Sequence, residues 1–362
     1  TKTVKDIDQN IGGTIEYDID TVVRKIADGK RLSYYYISDT LDVNNLDVAG
    51  AQIAVTVDGT PVAKDSDYEL VKDDATGHVL VRFKAEGLKK LTSGAKVKVN
   101  VKATKITNGR VVPNSAFEYE PSSPESDQDV KSDTEPPKTP PNENRNETPL
   151  VITYFSEVEF KKVDAGRTGL SGAEFQLLRT KAGDKECNAS MAAEITEGAK
   201  KVQGSLNGGA TPVDTFVSDQ NGKVNISGLH VTDFADNADV ASENQSVYCL
   251  YETKAPAGKE LLAKPLTFTL MRSGTTTLQR NVTVYETVNG VTSAHTETRD
   301  YDALVYEPVA LTVGDNNGEV VNLDDTTPNL PLTGGAGVGI LAAIGALIVG
   351  AGAWFARRSV QS

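Results

Sequence analysis

Short runs in which apolar and polar residues alternate are the feature that most constrains the fold of this chain. The run from Lys96 to Thr104 reads KVKVNVKAT, and residues 79–83 and 53–57 read VLVRF and IAVTV. Successive side chains of a β-strand point to opposite faces of a sheet, so these runs predict strands with one buried face. Turn signals such as Asp58-Gly59 separate the runs, and no long amphipathic helix stands out. We therefore predict an all-β chain folded as two Ig-like β-sandwiches in series.

Composition is informative mainly for the classes of function that it excludes. The 362-residue chain has a formal net charge of -13, and an acidic surface repels phosphate backbones, so no nucleic acid is expected as a partner. We interpret the charge as keeping an exported protein soluble, in preference to a specific cation site. His78, His230 and His295 are far apart without ligand-like neighbours, and the two cysteines form no CxxC pair. The sequence thus predicts neither a metal site nor a cofactor.

The C-terminal part of the sequence carries three elements in order. Residues 330–334 read LPLTG, residues 336–356 are uncharged and apolar, and residues 357–362 form a tail that begins with two arginines. About 20 apolar residues suffice for one membrane-spanning helix. Arginines that follow such a helix favour the cytoplasmic side for the tail. We predict a transmembrane helix over 336–356; the alternative is an ordinary membrane anchor that follows a chance LPLTG loop.

The combination of LPLTG, span and basic tail resembles the LPXTG sorting signal of sortase substrates, carried here by Leu330, Pro331, Leu332, Thr333 and Gly334. In that family a membrane transpeptidase cleaves between the Thr and the Gly and holds the Thr as an acyl-enzyme. An amine from the cell-wall precursor or from a lysine of the next subunit then releases it. The resemblance implies a secreted protein joined to peptidoglycan or to a neighbouring subunit through Thr333, with a pilus or housekeeping sortase as its partner.

A segment rich in Pro, Ser, Asp and Glu interrupts the strand-like sequence at residues 121–149. Such sequence buries too little apolar surface to offset its ordering entropy, so we predict an extended linker. It divides a first region, 1–120, from a second, 150–325. Thr1 opens directly in polar, strand-like sequence. We therefore expect the mature N-terminus to lie upstream, with a whole preceding domain as one candidate for that part.

In the second region, three polar residues fall on strand faces that should be buried. In the run Val158 to Lys162, alternation places Lys162 on the face of Val158 and Phe160. The same reasoning groups Glu252 with Tyr248 and Leu250, and it groups Asn322 with Val320.

A lone buried Lys or Glu is costly, and burial disfavours the charged form of each. A neutral amine is a nucleophile, and a protonated carboxyl can polarise an amide. Lys162 could therefore attack Asn322 beside Glu252, expelling ammonia and leaving an intramolecular isopeptide bond. Alternation alone leaves an equal alternative, a buried Lys162–Glu252 ion pair with Asn322 as its cap.

Two stretches of the second region resemble a Cna-B-type (SpaA-like) pilin domain. Residues 160–164 (FKKVD) and 170–177 (LSGAEFQL) look like its opening, and residues 248–258 (YCLYETKAPAG) resemble the pilin E-box, YxLxETxAPxGY, with Lys259 in place of the final Tyr. The resemblance covers about 150–335. It implies that Lys162 is the reactive lysine, Glu252 the catalytic acid and Asn322 the acceptor.

The first region resembles, less sharply, the isopeptide-forming fimbrial (Cna-A-like) domain that precedes the Cna-B domain in shaft pilins. The similar stretches are residues 2–4 (KTV), the turn at 12–13 (GG) and residues 112–116 (VPNSA). With Asp39 on the strand face of Tyr35, Ile37 and Leu41, the resemblance implies a second set. The implied set is Lys2, Asn114 and the catalytic acid Asp39, with Asp42 as the competing acid. The alternative is a frayed terminal lysine and a turn aspartate.

Cys187 and Cys249 are the two cysteines of the chain, and in an exported protein they predict a disulfide. Cys249 points away from the face of Glu252, so the bridge would hold the 181–215 insertion on the outer side of the sheet. Closing a loop of about 60 residues contributes about 4 kcal/mol in the chain-entropy model. Two free buried cysteines are the alternative.

These resemblances imply a structural role: a major (shaft) pilin subunit, joined covalently to neighbouring pilin subunits and exposed on the pilus surface. A host-surface receptor is a further candidate partner. The YPK-type lysine of shaft pilins does not occur in this sequence. A monomeric wall-anchored adhesin and a minor (basal or tip) pilin therefore stay open. A surface enzyme is the remaining rival, but the sequence shows no nucleophile elbow and no HExxH motif, so we predict that the chain is not an enzyme.

Overall fold

The alternating runs of the first region form strands, as predicted. The computed structural model describes residues 1–7, 9–141, 145–198 and 201–326. In chain order, the strands up to residue 150 are β1 (Lys2–Lys5), β2 (Thr14–Val22), β3 (Lys30–Arg31), β4 (Tyr36–Thr40), β5 (Gln52–Val57), β6 (Thr60–Pro61), β7 (Tyr68–Asp73), β8 (His78–Phe83), β9 (Lys96–Thr104), β10 (Val111–Asn114), β11 (Ala116–Tyr119), β12 (Gln128–Asp129) and β13 (Arg145–Glu147). A short helix, α1 (Ala85–Leu88), and a 3-10 turn (Pro124–Ser126) accompany them.

Two five-stranded sheets face each other in the first sandwich. One has the order β1-β2-β9-β5-β6, and the other has the order β13-β11-β4-β8-β7. Tyr17, Val99 and Val101 from the first sheet meet Ile37 and Phe83 from the second in one apolar core. Burying these side chains is the main stabilising term, at roughly 1.5–3 kcal/mol for each large apolar side chain.

The second region forms a second sandwich and a long hairpin. Its strands are β14 (Val151–Val163), β15 (Glu174–Arg179), β16 (Ser205–Leu206), β17 (Phe216–Val217), β18 (Lys223–His230), β19 (Phe234–Ala235), β20 (Ala238–Asp239), β21 (Tyr248–Lys254), β22 (Leu266–Phe268), β23 (Arg272–Val288), β24 (Val291–Tyr306), β25 (Val309–Ala310) and β26 (Glu319–Val321). Helix α2 (Ala189–Glu197) and a 3-10 turn (Ser242–Asn244) complete the described elements. The sheet β10-β14-β18-β16, to which β25 and β26 add along β14, faces the sheet β17-β15-β21-β22.

Strand pairing joins the two regions across their predicted boundary. Strand β10, from the first region, pairs antiparallel with the start of β14, Asn114 opposite Val151. Side chains at the start of β14 serve both cores: Phe155 lies in the core of the first sandwich, and Tyr154 lies in that of the second. The division into 1–120, 121–149 and 150–325 therefore remains a proposal about domains, and the strands at the junction are shared.

The described part of the predicted linker follows the surface of the first sandwich. Strand β12 pairs with β3, and β13 pairs with the edge strand β11. The Arg24 guanidinium binds the Asp127 carboxylate, and Tyr36 donates a hydrogen bond to the Pro137 carbonyl at 2.7 Å. Polar contacts from the sandwich, with little apolar burial from the segment itself, hold this stretch in place.

The β23–β24 hairpin lies on the outer face of the first sandwich. Val282, Val284 and Tyr285 from β23 pack with Tyr36 and Tyr119 in a separate apolar cluster. Strand β4 is consequently buried on both faces, whereas alternation predicts one buried face. The hairpin covers the face of β4 that would otherwise be exposed to solvent.

Across the described ranges, no helix is long and apolar enough to cross a membrane. The predicted span at 336–356 lies outside the residues that the structure describes.

Candidate functional site

A cluster in the second sandwich brings together Lys162, Glu252 and Asn322. The Lys162 Nζ donates to the Asn322 Oδ1 in a very short contact, and it lies 3.2 Å from the Glu252 Oε1. The Asn322 Nδ2 donates to both Glu252 oxygens, at 3.0 and 3.2 Å. The carboxyl group thus contacts both the amine and the amide nitrogen, an arrangement that suits a proton relay between the two.

Strand pairing places these side chains as alternation predicts. Along β14, Val158, Phe160 and Lys162 are buried while Glu159 and Lys161 are exposed. Strand β26 lies parallel to β14 with Lys162 opposite Val320. The chain then continues so that the Asn322 N–H donates to the carbonyl of Val163 at 2.9 Å, which aims the Asn322 side chain at the lysine.

A glycine allows the neighbouring turn to approach the lysine backbone. Gly222 has φ of +80°, and a Cβ atom there would lie 2.1 Å from the Lys162 carbonyl oxygen. The Lys162 N–H donates to the Gly222 carbonyl at 2.6 Å. The Asn221-Gly222 dipeptide, a sequence typical of tight turns, therefore also fixes the lysine backbone.

The environment of Lys162 favours the neutral amine. Neither the lysine nor the Glu252 side chain is exposed, and the Phe175 ring lies 5.7 Å from the Nζ. Desolvation lowers the pKa of Lys162, although the charge of Glu252 and its hydrogen bond act in the opposite direction. Lowering this pKa raises the fraction of amine that can act as a nucleophile.

A second cluster in the first sandwich contains Lys2, Asp39 and Asn114. The Lys2 Nζ donates to the Asp39 Oδ2 at 2.8 Å and to the Asn114 Oδ1 at 2.7 Å. The Lys2 side chain is fully buried on β1 and Asp39 lies within β4, so the lysine is not frayed and the aspartate is not in a turn. Desolvation lowers the pKa of Lys2, against the opposing effect of Asp39.

The amide nitrogen of Asn114 distinguishes this cluster from the other. Within the described residues, the buried Asn114 Nδ2 has no hydrogen-bond partner, and an unsatisfied buried donor of this kind costs about 1–3 kcal/mol. Release of that nitrogen as ammonia would remove the cost. The competing acid, Asp42, lies elsewhere: its Oδ2 accepts from the Asn45 Nδ2 at 2.7 Å.

The hairpin contributes a residue beside this cluster that the sequence analysis did not single out. Arg280 on β23 donates to the Ser115 Oγ at 2.7 Å and to the Glu147 Oε1 at 2.9 Å. Its positive charge is one of the influences that lower the pKa of Lys2. No local sequence signal pointed to Arg280, because it is 165 residues from Ser115 along the chain.

The predicted disulfide between Cys187 and Cys249 is present, with a Cα–Cα distance of 5.8 Å. Cys249 packs with Leu178 and Met191 in a cluster distinct from the core that contains Leu250. The bridge therefore holds the insertion with helix α2 on the side of β21 opposite the lysine cluster, as alternation predicted.

One expectation about the histidines was wrong. Cross-strand pairing in the hairpin places the His295 Nε2 3.8 Å from the Glu286 Oε1 and 3.7 Å from the Glu297 Oε1. These side chains are partly exposed, and pairing between β23 and β24 is what brings them together. The sorting residues Leu330, Pro331, Leu332, Thr333 and Gly334 lie outside the described residues.

Comparison with known proteins shows that the chain is similar to bacterial fimbrial proteins. Residues 156–283 match the SpaA prealbumin-like fold domain. The fimbrial subunit type 2 of Actinomyces naeslundii is 26% identical over 373 residues, which cover 96% of this chain and 57% of that protein. The chain thus spans a little over half the length of this curated relative.

Solved structures of major pilins are also similar to this chain. Domains D2 and D3 of the major pilin SpaD from Corynebacterium diphtheriae match with a TM-score of 0.55 and 29% identity, over 74% of this chain and 87% of that one. The major pilin SpaA of the same organism, described as having a modular pilus assembly with stabilizing isopeptide bonds, matches in fold, with a TM-score of 0.53 at 17% identity over 89% of this chain and 68% of that one. Residues 156–283 therefore match the SpaA prealbumin-like fold domain, and the chain is similar to fimbrial subunits of Actinomyces and to a major pilin of Corynebacterium diphtheriae.

Proposed function

We propose that this chain is a structural subunit of a covalent, sortase-assembled pilus anchored to the Gram-positive cell wall. In this proposal, self-formed isopeptide bonds join Lys162 to Asn322 and Lys2 to Asn114. The observation that carries it is the pair of buried clusters, each with an amine in contact with an amide oxygen and a carboxyl group. The relationship to fimbrial subunits and major pilins supports the same conclusion.

The proposed reaction needs no cofactor. The neutral Lys162 Nζ attacks the Asn322 Cγ, and Glu252 relays the proton lost by the amine to the departing Nδ2. The Cγ–Nδ2 bond breaks, an amide forms between Nζ and Cγ, and ammonia leaves. Asp39 has the same role between Lys2 and Asn114. Each reaction replaces costly buried polar groups by a neutral amide and occurs once per molecule, so the chain is not a turnover enzyme.

The position of the proposed bonds gives them a mechanical purpose. Lys162 is on the first strand of the second sandwich and Asn322 follows its last strand. Sandwich domains held by noncovalent contacts alone are only marginally stable, by roughly 5–15 kcal/mol. A covalent tie between the early and late strands makes tension act on a bond in place of a hydrogen-bond ladder. This property suits a fibre subunit that carries load.

Mass spectrometry tests the bonds. We expect the purified chain to be lighter than its sequence by two hydrogens for the disulfide and by one ammonia for each isopeptide bond. Lys162→Met or Lys2→Met should recover one ammonia each after correction for the substitution. Lys161→Met and Lys5→Met are matched controls, since both lysines are exposed neighbours on the same strands, and neither should change the deficit. Full mass in the parent chain would refute both bonds.

Assembly is tested separately, in a Gram-positive host that expresses a pilus sortase. A shaft subunit should give a ladder of detergent-resistant polymers in wall extracts, and Thr333→Ala should abolish the ladder because the acyl-enzyme cannot form at that residue. A single wall-linked band would favour the monomeric adhesin or the minor pilin. Product that is independent of Thr333 would contradict the sortase assignment.

A further inference from the structure

A third buried lysine lies in the first sandwich, outside both clusters. Lys105 follows β9 and has no exposed surface. Its Nζ donates to the Asn45 Oδ1 at 3.1 Å, to the Thr107 carbonyl and, at 3.5 Å, to the Thr107 Oγ1. The ring of Phe155 lies 4.7 Å from the same nitrogen. In the described structure, every hydrogen-bond acceptor of this amine is a neutral oxygen.

Such a setting is unfavourable for an ammonium ion. Burial away from water costs several kcal/mol for a charge that no adjacent carboxylate compensates. Desolvation lowers the pKa of Lys105 to about 7, and the charge of the more distant Asp42 opposes this only in part. A substantial fraction of the amine is therefore neutral and nucleophilic near pH 7.

Asn45 and Asp42 complete the arrangement around Lys105. The Asn45 Nδ2 donates to the Asp42 Oδ2 at 2.7 Å while its Oδ1 accepts from the lysine. The order amine, amide oxygen, amide nitrogen, carboxylate is also found for Lys162, Asn322 and Glu252. The difference is that Glu252 also lies 3.2 Å from the Lys162 Nζ, whereas Asp42 contacts the amide nitrogen of Asn45.

The surrounding backbone fixes the Asn45 amide in place. A Cβ atom at Gly109 would lie 2.1 Å from the Asn45 Oδ1, so only a glycine leaves room for it. The Thr107 Oγ1 donates to the same Oδ1 at 2.7 Å. A β-bridge between Leu46 and Lys105 sets the spacing of the two backbone segments. Together these features place the amide oxygen of Asn45 against the lysine amine.

We propose that Lys105 and Asn45 form a third intramolecular isopeptide bond, with Asp42 as its catalytic acid. The Lys105 Nζ attacks the Asn45 Cγ, which brings it next to Nδ2 on the same carbon and so within reach of the Asp42 carboxyl. That carboxyl takes the proton lost by the amine and gives it to Nδ2, and ammonia leaves as the Cγ–Nδ2 bond breaks. The bond would tie the end of β9 to the loop after β4, beside the shared strand β14. The inference uses the chemistry of the proposed function at a separate site.

Peptide analysis of the reduced, full chain tests this directly. Trypsin should yield one branched species in which residues 32–64, containing Asn45, are joined to residues 103–110, with no cleavage after Lys105. The species should lack one ammonia relative to its two component peptides. Recovery of free 106–110 and free 32–64 in full yield would overturn the proposal, whatever the state of the peptides that contain Lys2 and Lys162.

Variants provide an independent readout by intact mass. Lys105→Met should recover one ammonia relative to the parent chain. Asp42→Asn should also recover one ammonia, because Lys105 stays unlinked and the Asn45 side-chain amide stays intact. Lys102→Met changes an exposed lysine near the end of β9; it is the matched control and should leave the deficit unchanged. An equal deficit in the parent chain and in Lys105→Met would overturn the third bond while leaving the other two intact. If Lys105→Met does not fold, the peptide analysis of the parent chain still decides.

Discussion

Stretched between its two ends, the chain is expected to lengthen mainly by the segment between Asn114 and Lys162. The Lys2–Asn114 and Lys162–Asn322 bonds would carry the force themselves, so the residues that they enclose would bear no tension. About 48 residues between Asn114 and Lys162 can then extend, by roughly 160 Å at about 3.4 Å per residue. Strands β11 and β13 lie in this segment, and so does the pairing of β14 with β10. Single-molecule force spectroscopy measures the released contour length.

The lysine variant should change that length by a large amount. In Lys162→Met, the 160 residues between positions 162 and 322 become extensible, apart from the 62 that the Cys187–Cys249 disulfide encloses. They should add about 330 Å, at about 3.4 Å per residue. Lys161→Met is the control and should give the parent trace. A parent chain that releases the full length of both sandwiches would show that neither tie carries force.

Glu252→Gln is expected to stop formation of the Lys162–Asn322 bond and to lower the melting temperature of the second sandwich by on the order of 20 °C. Glutamine keeps the size of the side chain but cannot relay a proton. The variant loses a cross-link around a 160-residue loop, worth about 5 kcal/mol in the chain-entropy model. It also leaves Lys162 buried without its carboxylate, at about 3–5 kcal/mol. Each kcal/mol lowers the melting temperature by about 2–4 °C in a domain of this size.

Calorimetry and intact mass, measured on the same preparation, check this expectation. Glu174→Gln is a matched control, because Glu174 is a partly exposed acid on the neighbouring strand that pairs with Lys254, and surface pairs contribute about 0–1 kcal/mol. A Glu252→Gln protein that retains the ammonia deficit and melts with the parent chain would exclude Glu252 as the acid.

The sequence was most informative where the signal was local. Alternation along β14 predicted that Lys162 shares the buried face of Val158 and Phe160 while Glu159 and Lys161 face water, and the structure has that pattern. Alternation likewise placed Cys249 and Leu250 on opposite faces of β21, where they join different clusters. Period-two patterning depends only on adjacent residues, so a single sequence suffices to predict it.

The resemblance to pilin domains supplied what alternation could not, namely which acid and which amide accompany each lysine. Lys162 and Asn322 are 160 residues apart, and Lys2 and Asn114 are 112 residues apart. The structure brings both sets together, and whether the bonds form remains a prediction.

The contact between Lys105 and Asn45 could not be predicted from sequence patterns. Neither stands in a recognisable motif, and Asp42 entered the sequence analysis only as a competitor of Asp39. The bridge between Leu46 and Lys105 and the close packing of Gly109 make the three residues a cluster.

By itself, the sequence determined the all-β class, the disulfide and the buried face of β14 that carries Lys162. Tertiary structure alone decided that β10 joins β14, that the β23–β24 hairpin covers the outer face of β4, and that Lys105 meets Asn45. The physical reason is that side-chain periodicity fixes which face of a strand avoids water, whereas the choice of partner for that face depends on packing between segments far apart in the chain.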